Sequence, residues 1–365
     1  MKRYKFLDER KFRYLCQGLT LDKRDLAVLD SSLVGLDKIN KLTSRIVSHN
    51  QKYGFSKSFV EVGPQIIVNL NKMYSPEKGP FVMAPVVKEN SILDKAPSLH
   101  INLNSPSLDI PQRIEIPLRL VLKGLPKLEG TYMVYLHVLK MEDGVDYVYY
   151  GITKRGWMKR FNEHISSSLK NESNLLFHRT LREGVLGRLT QLYGESSAPG
   201  QSKEFVEKIL IGNYHVVCGA GLSEENALET EEYLVNKYSF SHNNGLNMIP
   251  GGREGIAYLH KHNLLSKKKS ILTDAEKDNI LSKYLRENPR KGLPNLAISE
   301  HWNNPDYAAK VICGRTGRLT VEQVGVIREA ALDGRSIEEI KKIINGKSNE
   351  QIRNVIRGKT YKRIE

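Results

Sequence analysis

Cysteine is scarce and scattered in this chain. Only three occur in 365 residues, Cys16, Cys218 and Cys313. Their spacing suits neither a disulfide framework nor a cysteine zinc site, and a reducing compartment is the natural setting. No uninterrupted apolar run approaches the ~20 residues that a membrane span needs. The opening MKRYKFLDERKFRYL has no apolar core of the secretory kind. Cytoplasmic placement without a membrane partner is therefore expected. Glycine (28) and proline (14) are too few for a collagen-like or linker-like chain. With 40% apolar and 27% charged residues, wholesale disorder is excluded.

Acidic side chains are also in deficit. There are 41 Asp and Glu against 56 Lys and Arg, a net charge of +15. Residues 266–365 hold 21 basic and 13 acidic side chains, or +8, more than half of the excess in the last 100 residues. A basic surface attracts phosphate backbones and anionic lipid alike. A soluble chain with one basic end favours nucleic acid.

Three stretches differ in pattern. Residues 1–125 are mixed, with a helix-like run from Lys23 to Lys41 and strand-like runs at Phe59–Asn69 and Arg113–Leu122. Pro and Ser cluster over 75–111 as in loops, and no chemistry-bearing motif is present. Residues 126–252 open with Tyr- and Val-rich runs, Gly130–Lys140 and Asp146–Ile152, around the Asp143-Gly144 turn signal, an antiparallel hairpin. Trp157–Lys170 and Glu224–Tyr238 read as helices, the second capped by Ser223. Residues 253–271 read as a basic linker. From Leu272 a repeat begins, giving units 272–318 and 319–365 that open on Leu-Thr and close on Gly-Arg/Lys-Thr.

On the second strand of the hairpin, Tyr147 and Tyr149 share one face, and Val148 and Tyr150 the other. Tyr132 and Tyr135 take opposite faces of the first strand. Arg160 and His164, four apart, share a helix face. Glu231 follows on the later helix, and Asn247 ends a loop.

These residues resemble the GIY-YIG nuclease family. Gly130-Thr131-Tyr132 stands for the first half-signature and Tyr149-Tyr150-Gly151 for the second. Arg160 with His164, then Ala227, Glu231 and Leu234-Val235, then Asn247, follow in the family's order over about a third of the chain. The hairpin is longer than in most members, and the stretch between His164 and Ala227 reads as an insertion. The resemblance implies an α+β fold: a small antiparallel sheet flanked by helices, preceded by a mixed N-terminal domain and followed by an all-α helix-turn-helix region. It implies Glu231 (or its neighbour Glu232) as ligand of Mg²⁺ or Mn²⁺, Arg160 as phosphate clamp, and Tyr132 or His164 as general base. Tyr149 would orient water or phosphate, Asn247 would fix the geometry, and Gly130 and Gly151 would be structural. Lys154 and Arg155 would face DNA.

Three capping boxes, Thr320/Gln323, Ser336/Glu339 and Ser348/Gln351, mark three short helices in the last unit. Their apolar spacing (Val324, Ile327, Ile340, Ile343, Ile352, Val355, Ile356) reads as helix-turn-helix, similar to the repeats of phage and mobile-intron endonucleases. Asn349, Gln351, Arg353, Asn354 and Arg357 would reach bases or phosphates, and Lys359, Lys362 and Arg363 the backbone. In the looser first unit, Pro305–Lys310 would stand at the recognition helix. The expected activity is site-specific hydrolysis of double-stranded DNA by a homing-type endonuclease in a bacterial or phage-infected cell. The alternatives are a DNA-binding regulator carrying an inactive nuclease fold, and a restriction- or repair-type nuclease.

Overall fold

The computed structural model describes residues 4–364 except 18, 20, 36, 73–80, 89–95, 106, 171–172, 195–207, 266–268, 289–292, 294–308, 310–311, 314–316, 345–346 and 363. The chain forms two compact units, Met1–Pro289 and Arg290–Glu365. Among the described residues, no helix is long and apolar enough to cross a membrane.

The first unit is α+β, built on one mixed seven-stranded sheet. Its strands are β1 (Gln65–Lys72), β2 (Phe81–Lys88), β3 (Ser98–Asn104), β4 (Pro111–Pro117), β5 (Tyr132–Met141), β6 (Asp146–Thr153) and β7 (Leu210–Leu222), in the order β2-β1-β3-β4-β7-β5-β6. The β1–β3 and β4–β7 pairs are parallel and the others antiparallel. The expected small antiparallel sheet is thus β7-β5-β6, one end of a larger one. β7 lies in the stretch read as an insertion and is the sheet's seam, paired with β5 on one side and β4 on the other.

That seam removes the expected boundary near residue 125. One apolar core runs from Tyr4 to Leu246, and the indole of Trp157 donates to the Leu15 carbonyl across it at 2.9 Å. Residues 4–125 supply four strands and three helices, α1 (Glu9–Leu15), α2 (Lys23–Gly35) and α3 (Asp37–Tyr53). The single expected helix over 23–41 is therefore two. The buried Asp30 carboxylate accepts from the backbone N–H groups of Lys5, Phe6 and Leu7. The expected strand Arg113–Leu122 is β4 followed by a 3-10 turn at Leu118–Val121.

Among the described residues, five more helices belong to this unit: α4 (Trp157–Leu169), α5 (Leu176–Tyr193), α6 (Glu224–Tyr238), α7 (Gly252–Lys261) and α8 (Asp274–Glu287). The 253–271 region is thus partly the helix α7, not wholly linker. The helix opening the first repeat, α8, belongs to this unit and not to a helix-turn-helix domain.

The second unit carries the three expected helices, α9 (Val321–Leu332), α10 (Ile337–Ile343) and α11 (Asn349–Ile356), each with its capping box formed. Leu319, Val324, Ile327, Ile340, Ile352 and Val355 pack together, and Ile364 folds back onto them. Ile343 and Ile356, expected inside, are 45% and 41% exposed, because each faces away from the bundle while its neighbour, Ile344 or Val355, packs into it. Most of the first repeat after α8, including Pro305–Ala308 and Lys310, lies outside the described residues.

Candidate functional site

Two helices bring polar groups inward on stripes that are otherwise apolar. On α4 the buried stripe is Trp157, Arg160, Phe161, His164 and Ser168. On α6 it is Ala227, Leu228, Glu231 and Val235. Arg160 and Glu231 are 6% and 2% exposed, which no ordinary solvated helix face explains. Each keeps step with its helix's apolar period.

The hairpin supplies two phenols from one sheet face. Tyr135 and Tyr149 both belong to the main core. Tyr135 lies opposite Gly151 across the ladder, and a Cβ there would run into the Tyr135 hydroxyl. The glycine thus makes room for a ring. Gly130, at φ 85, permits the entry to β5. Tyr132 is on the opposite face with Val134, Ile152 and Ala227, and the Lys154 ammonium sits over its ring at 4.3 Å. Tyr132 does not meet Tyr149: strand alternation separates them, and Tyr135 takes the place expected of it.

A third helix fills the space between these groups. The buried residues of α8 are Asp274, Lys277, Asp278, Leu281 and Leu285. Arg160 Nε bonds Asp274 Oδ2 at 2.6 Å, and its Nη2 bonds Asp278 Oδ2. The Tyr135 hydroxyl donates to the same Asp274 oxygen. Lys277 Nζ bonds Glu231 Oε2 at 2.6 Å. Arg160 Nη1 reaches Glu163 at 3.1 Å, a carboxylate it shares with Arg155. What remains open is a cavity of about 30 Å³ lined by Tyr149, Glu231, Asn247, Asp274, Lys277 and Asp278 among others, room for about one water.

The electrostatics follow from burial. Burial opposes the Arg160 charge, but Asp274 and Asp278 outweigh it and hold the guanidinium protonated. Burial also opposes charge on Asp274, yet Arg160 pulls its carboxyl below the usual range. Burial, with Asp274 adding, pushes Asp278 up to about 7. Both phenols are raised well above their ordinary value, first by burial and then by these carboxylates. His164 is fully buried, and burial lowers it to about 4. It is a neutral ring here and not the near-neutral base expected of a free imidazole.

His164 Nδ1 lies 2.8 Å from His178 Nε2, and both are within 4.0 Å of Asp278 Oδ2. These three could hold a metal ion. Two imidazoles and one carboxylate suit a borderline cation such as Zn²⁺, not Mg²⁺. As arranged, His164 Nδ1 and His178 Nε2 are spent on each other and Asp278 Oδ2 on Arg160. Glu231, the carboxylate expected to meet a hard cation, is ion-paired with Lys277. Glu232 points elsewhere and accepts from Glu254 N at 3.0 Å, while Glu231 also accepts from Gly252 N at 3.1 Å. Both carboxylates thus cap the start of α7.

Asn247 acts on the edge strand. Its Oδ1 accepts from Tyr150 N at 2.9 Å and its Nδ2 donates to Tyr150 O at 2.8 Å, while Ser239 Oγ donates to Oδ1 at 2.7 Å. This amide is an added rung on β6 and positions the strand that carries Tyr149. Asn247→Ala is expected to cost about 2–3 kcal/mol in urea unfolding, from the bonds lost inside a nearly closed pocket. A change under about 0.5 kcal/mol would mean the amide carries no strain-bearing contact.

Lys154 and Arg155 are exposed. In the second unit Arg353, Arg357, Lys359 and Lys362 are exposed, and Asn354 is half-buried. Asn349 donates to Glu338 at 2.7 Å and Gln351 is spent in its capping box. Arg363 lies outside the described residues. Tyr135, His178, Asp274, Lys277 and Asp278 escaped sequence reasoning. The signal for the last three was present: charges at 274, 277 and 278 fall on one helical stripe with Leu281 and Leu285.

Comparison with protein-family models, curated proteins and solved structures finds no match for this chain.

Proposed function

We propose that the chain is a metal-dependent endonuclease of the GIY-YIG kind that hydrolyses phosphodiester bonds in double-stranded DNA, as homing and mobile-element nucleases do. One observation carries the reading: a buried guanidinium, two phenols of one hairpin face and a buried carboxylate, from α4, β5, β6 and α6, gather around the same three side chains of α8. A planar donor fork suits a phosphate's oxygens. Arg160 would hold the scissile phosphate, and Tyr135 and Tyr149 would orient the attacking water and the phosphate. Glu231 would hold Mg²⁺ or Mn²⁺, which supplies positive charge to the phosphate and leaving oxygen when bound. The exposed bases of the second unit would contact the DNA backbone. The net charge of +15 supports a polyanionic partner.

The test is cleavage of a fragmented genomic DNA library by the full chain, with and without Mg²⁺. Cutting is expected only with the metal. Arg160→Ala and Glu231→Gln should each lower the rate by ~10²–10³-fold, and Tyr135→Phe by ~10²-fold. Tyr132→Phe should stay within about threefold, since its ring is on the other face. DNA binding without metal-dependent cutting by any form of the chain would favour the regulator with an inactive fold. Lys277 on Glu231 is the contact that keeps that second reading in play.

A further inference from the structure

The charges of α8 are opposite in sign to those of the groups it covers. Two carboxylates lie on the guanidinium and one ammonium lies on the acid. We propose that α8 is a detachable cover: Asp274 and Asp278 stand where a substrate phosphate would meet Arg160, and Lys277 stands where a divalent cation would meet Glu231. What the cover excludes rests on the nuclease reading; how it is held rests only on these ion pairs.

Three features support a part that leaves. A cavity of about 30 Å³ admits neither a phosphodiester nor a hydrated cation, so a site with this chemistry works only when α8 has moved. Three of the five buried side chains of the helix are charged, beside Leu281 and Leu285, so charge carries much of the hold. Opening also exchanges like for like: phosphate oxygens replace carboxylates on Arg160, and a cation replaces the ammonium on Glu231. No buried charge is stranded, which would otherwise be the main obstacle.

Closure also silences the phenols. Their acidity is suppressed first by burial and then by Asp274 and Asp278; the two carboxylates depart with α8, and the burial it contributes goes with them. Arg160, which acts in the opposite direction on both rings, stays. The same movement that admits substrate therefore makes Tyr135 and Tyr149 better proton acceptors.

The experiment compares the full native chain with the triple variant D274N/K277Q/D278N. Two readouts are taken: Mg²⁺-dependent cleavage of mixed-sequence duplex DNA, and hydrogen exchange of the 274–287 amides. The variant is expected to cut at least tenfold faster and to exchange at least tenfold faster over 274–287, with the β5–β6 amides unchanged. Adding R160A to the triple should abolish the cutting. In the native chain, duplex DNA with Ca²⁺ should speed exchange over 274–287, a measurement that needs no variant to fold. A folded triple variant with native exchange over 274–287, or with faster exchange but cleavage no faster than an active native chain, overturns the cover. Native exchange over 274–287 that DNA and Ca²⁺ leave unchanged while the chain cuts also overturns it. Faster exchange with no cutting by any form upholds a charge-held α8 and sinks the nuclease reading alone.

Discussion

Arg160→Met should destabilise the first unit by about 3–5 kcal/mol at neutral pH, the cost of stranding buried charge when one partner of an ion pair is removed. The guanidinium is the cation facing both Asp274 and Asp278. With it gone, two carboxylates would share a dry pocket with two phenols. The effect should appear first in α8, as faster exchange over 274–287, and then in the urea midpoint. Adding D274N and D278N should recover most of the loss, because amides need no counter-charge. The double-mutant arithmetic is thus strongly non-additive, as expected within one network. A single variant within about 1 kcal/mol of native would show that Arg160 is not what compensates these carboxylates.

The second large effect is acid sensitivity. Burial lowers His164 to about 4 and His178 and His215 to about 3, and it also holds His137 well below the ordinary value. Each ring takes up a proton near pH 6.5 when unfolded but not when folded. Between pH 4 and 6.5 the unfolded chain therefore binds more protons, and stability rises with pH. Asp278 works the other way: raised to about 7, it keeps a proton in the folded state that the unfolded chain releases near pH 4. The histidines outnumber it. The net difference is roughly two to three protons, ~3 kcal/mol per pH unit at pH 5. Above pH 6.5 the histidine contribution levels off, and Asp278 flattens what remains of the rise up to about pH 7. Denaturant unfolding at pH 5, 6, 7 and 8 checks this. A flat profile from pH 5 to 6.5 would mean the rings are not held neutral in the folded chain.

Elements whose signals are local were legible without coordinates. The β5–β6 hairpin follows from alternation around Asp143-Gly144, and the three closing helices from their capping boxes. Arg160 and Glu231 stand out through the resemblance to the nuclease family, and of the two neighbouring acids Glu231 is the buried one. Tyr132 completes the half-signature Gly130-Thr131-Tyr132, yet the ring on the same face as Tyr149 is Tyr135, fixed by which face of β5 turns inward. β7 carries no clean local signal, since its run, LIGNYHVVCGAGL, mixes polar residues and glycines with valines. Its place at the seam depends on partners in β4 and β5 that lie far away in sequence.

The sequence by itself determined the α+β class of this protein, its hairpin, the helices that carry Arg160 and Glu231, and the capped bundle at its end. Each rests on interactions within about four residues, where side-chain period and cap chemistry decide. Only the tertiary structure decided that residues 4–125 complete the same sheet, that Tyr135 faces the site, and that α8 closes it with Asp274, Lys277 and Asp278. Those outcomes come from pairing charges and strands more than 40 residues apart. There the deciding quantity is which buried group is left without a partner, and no local pattern records that.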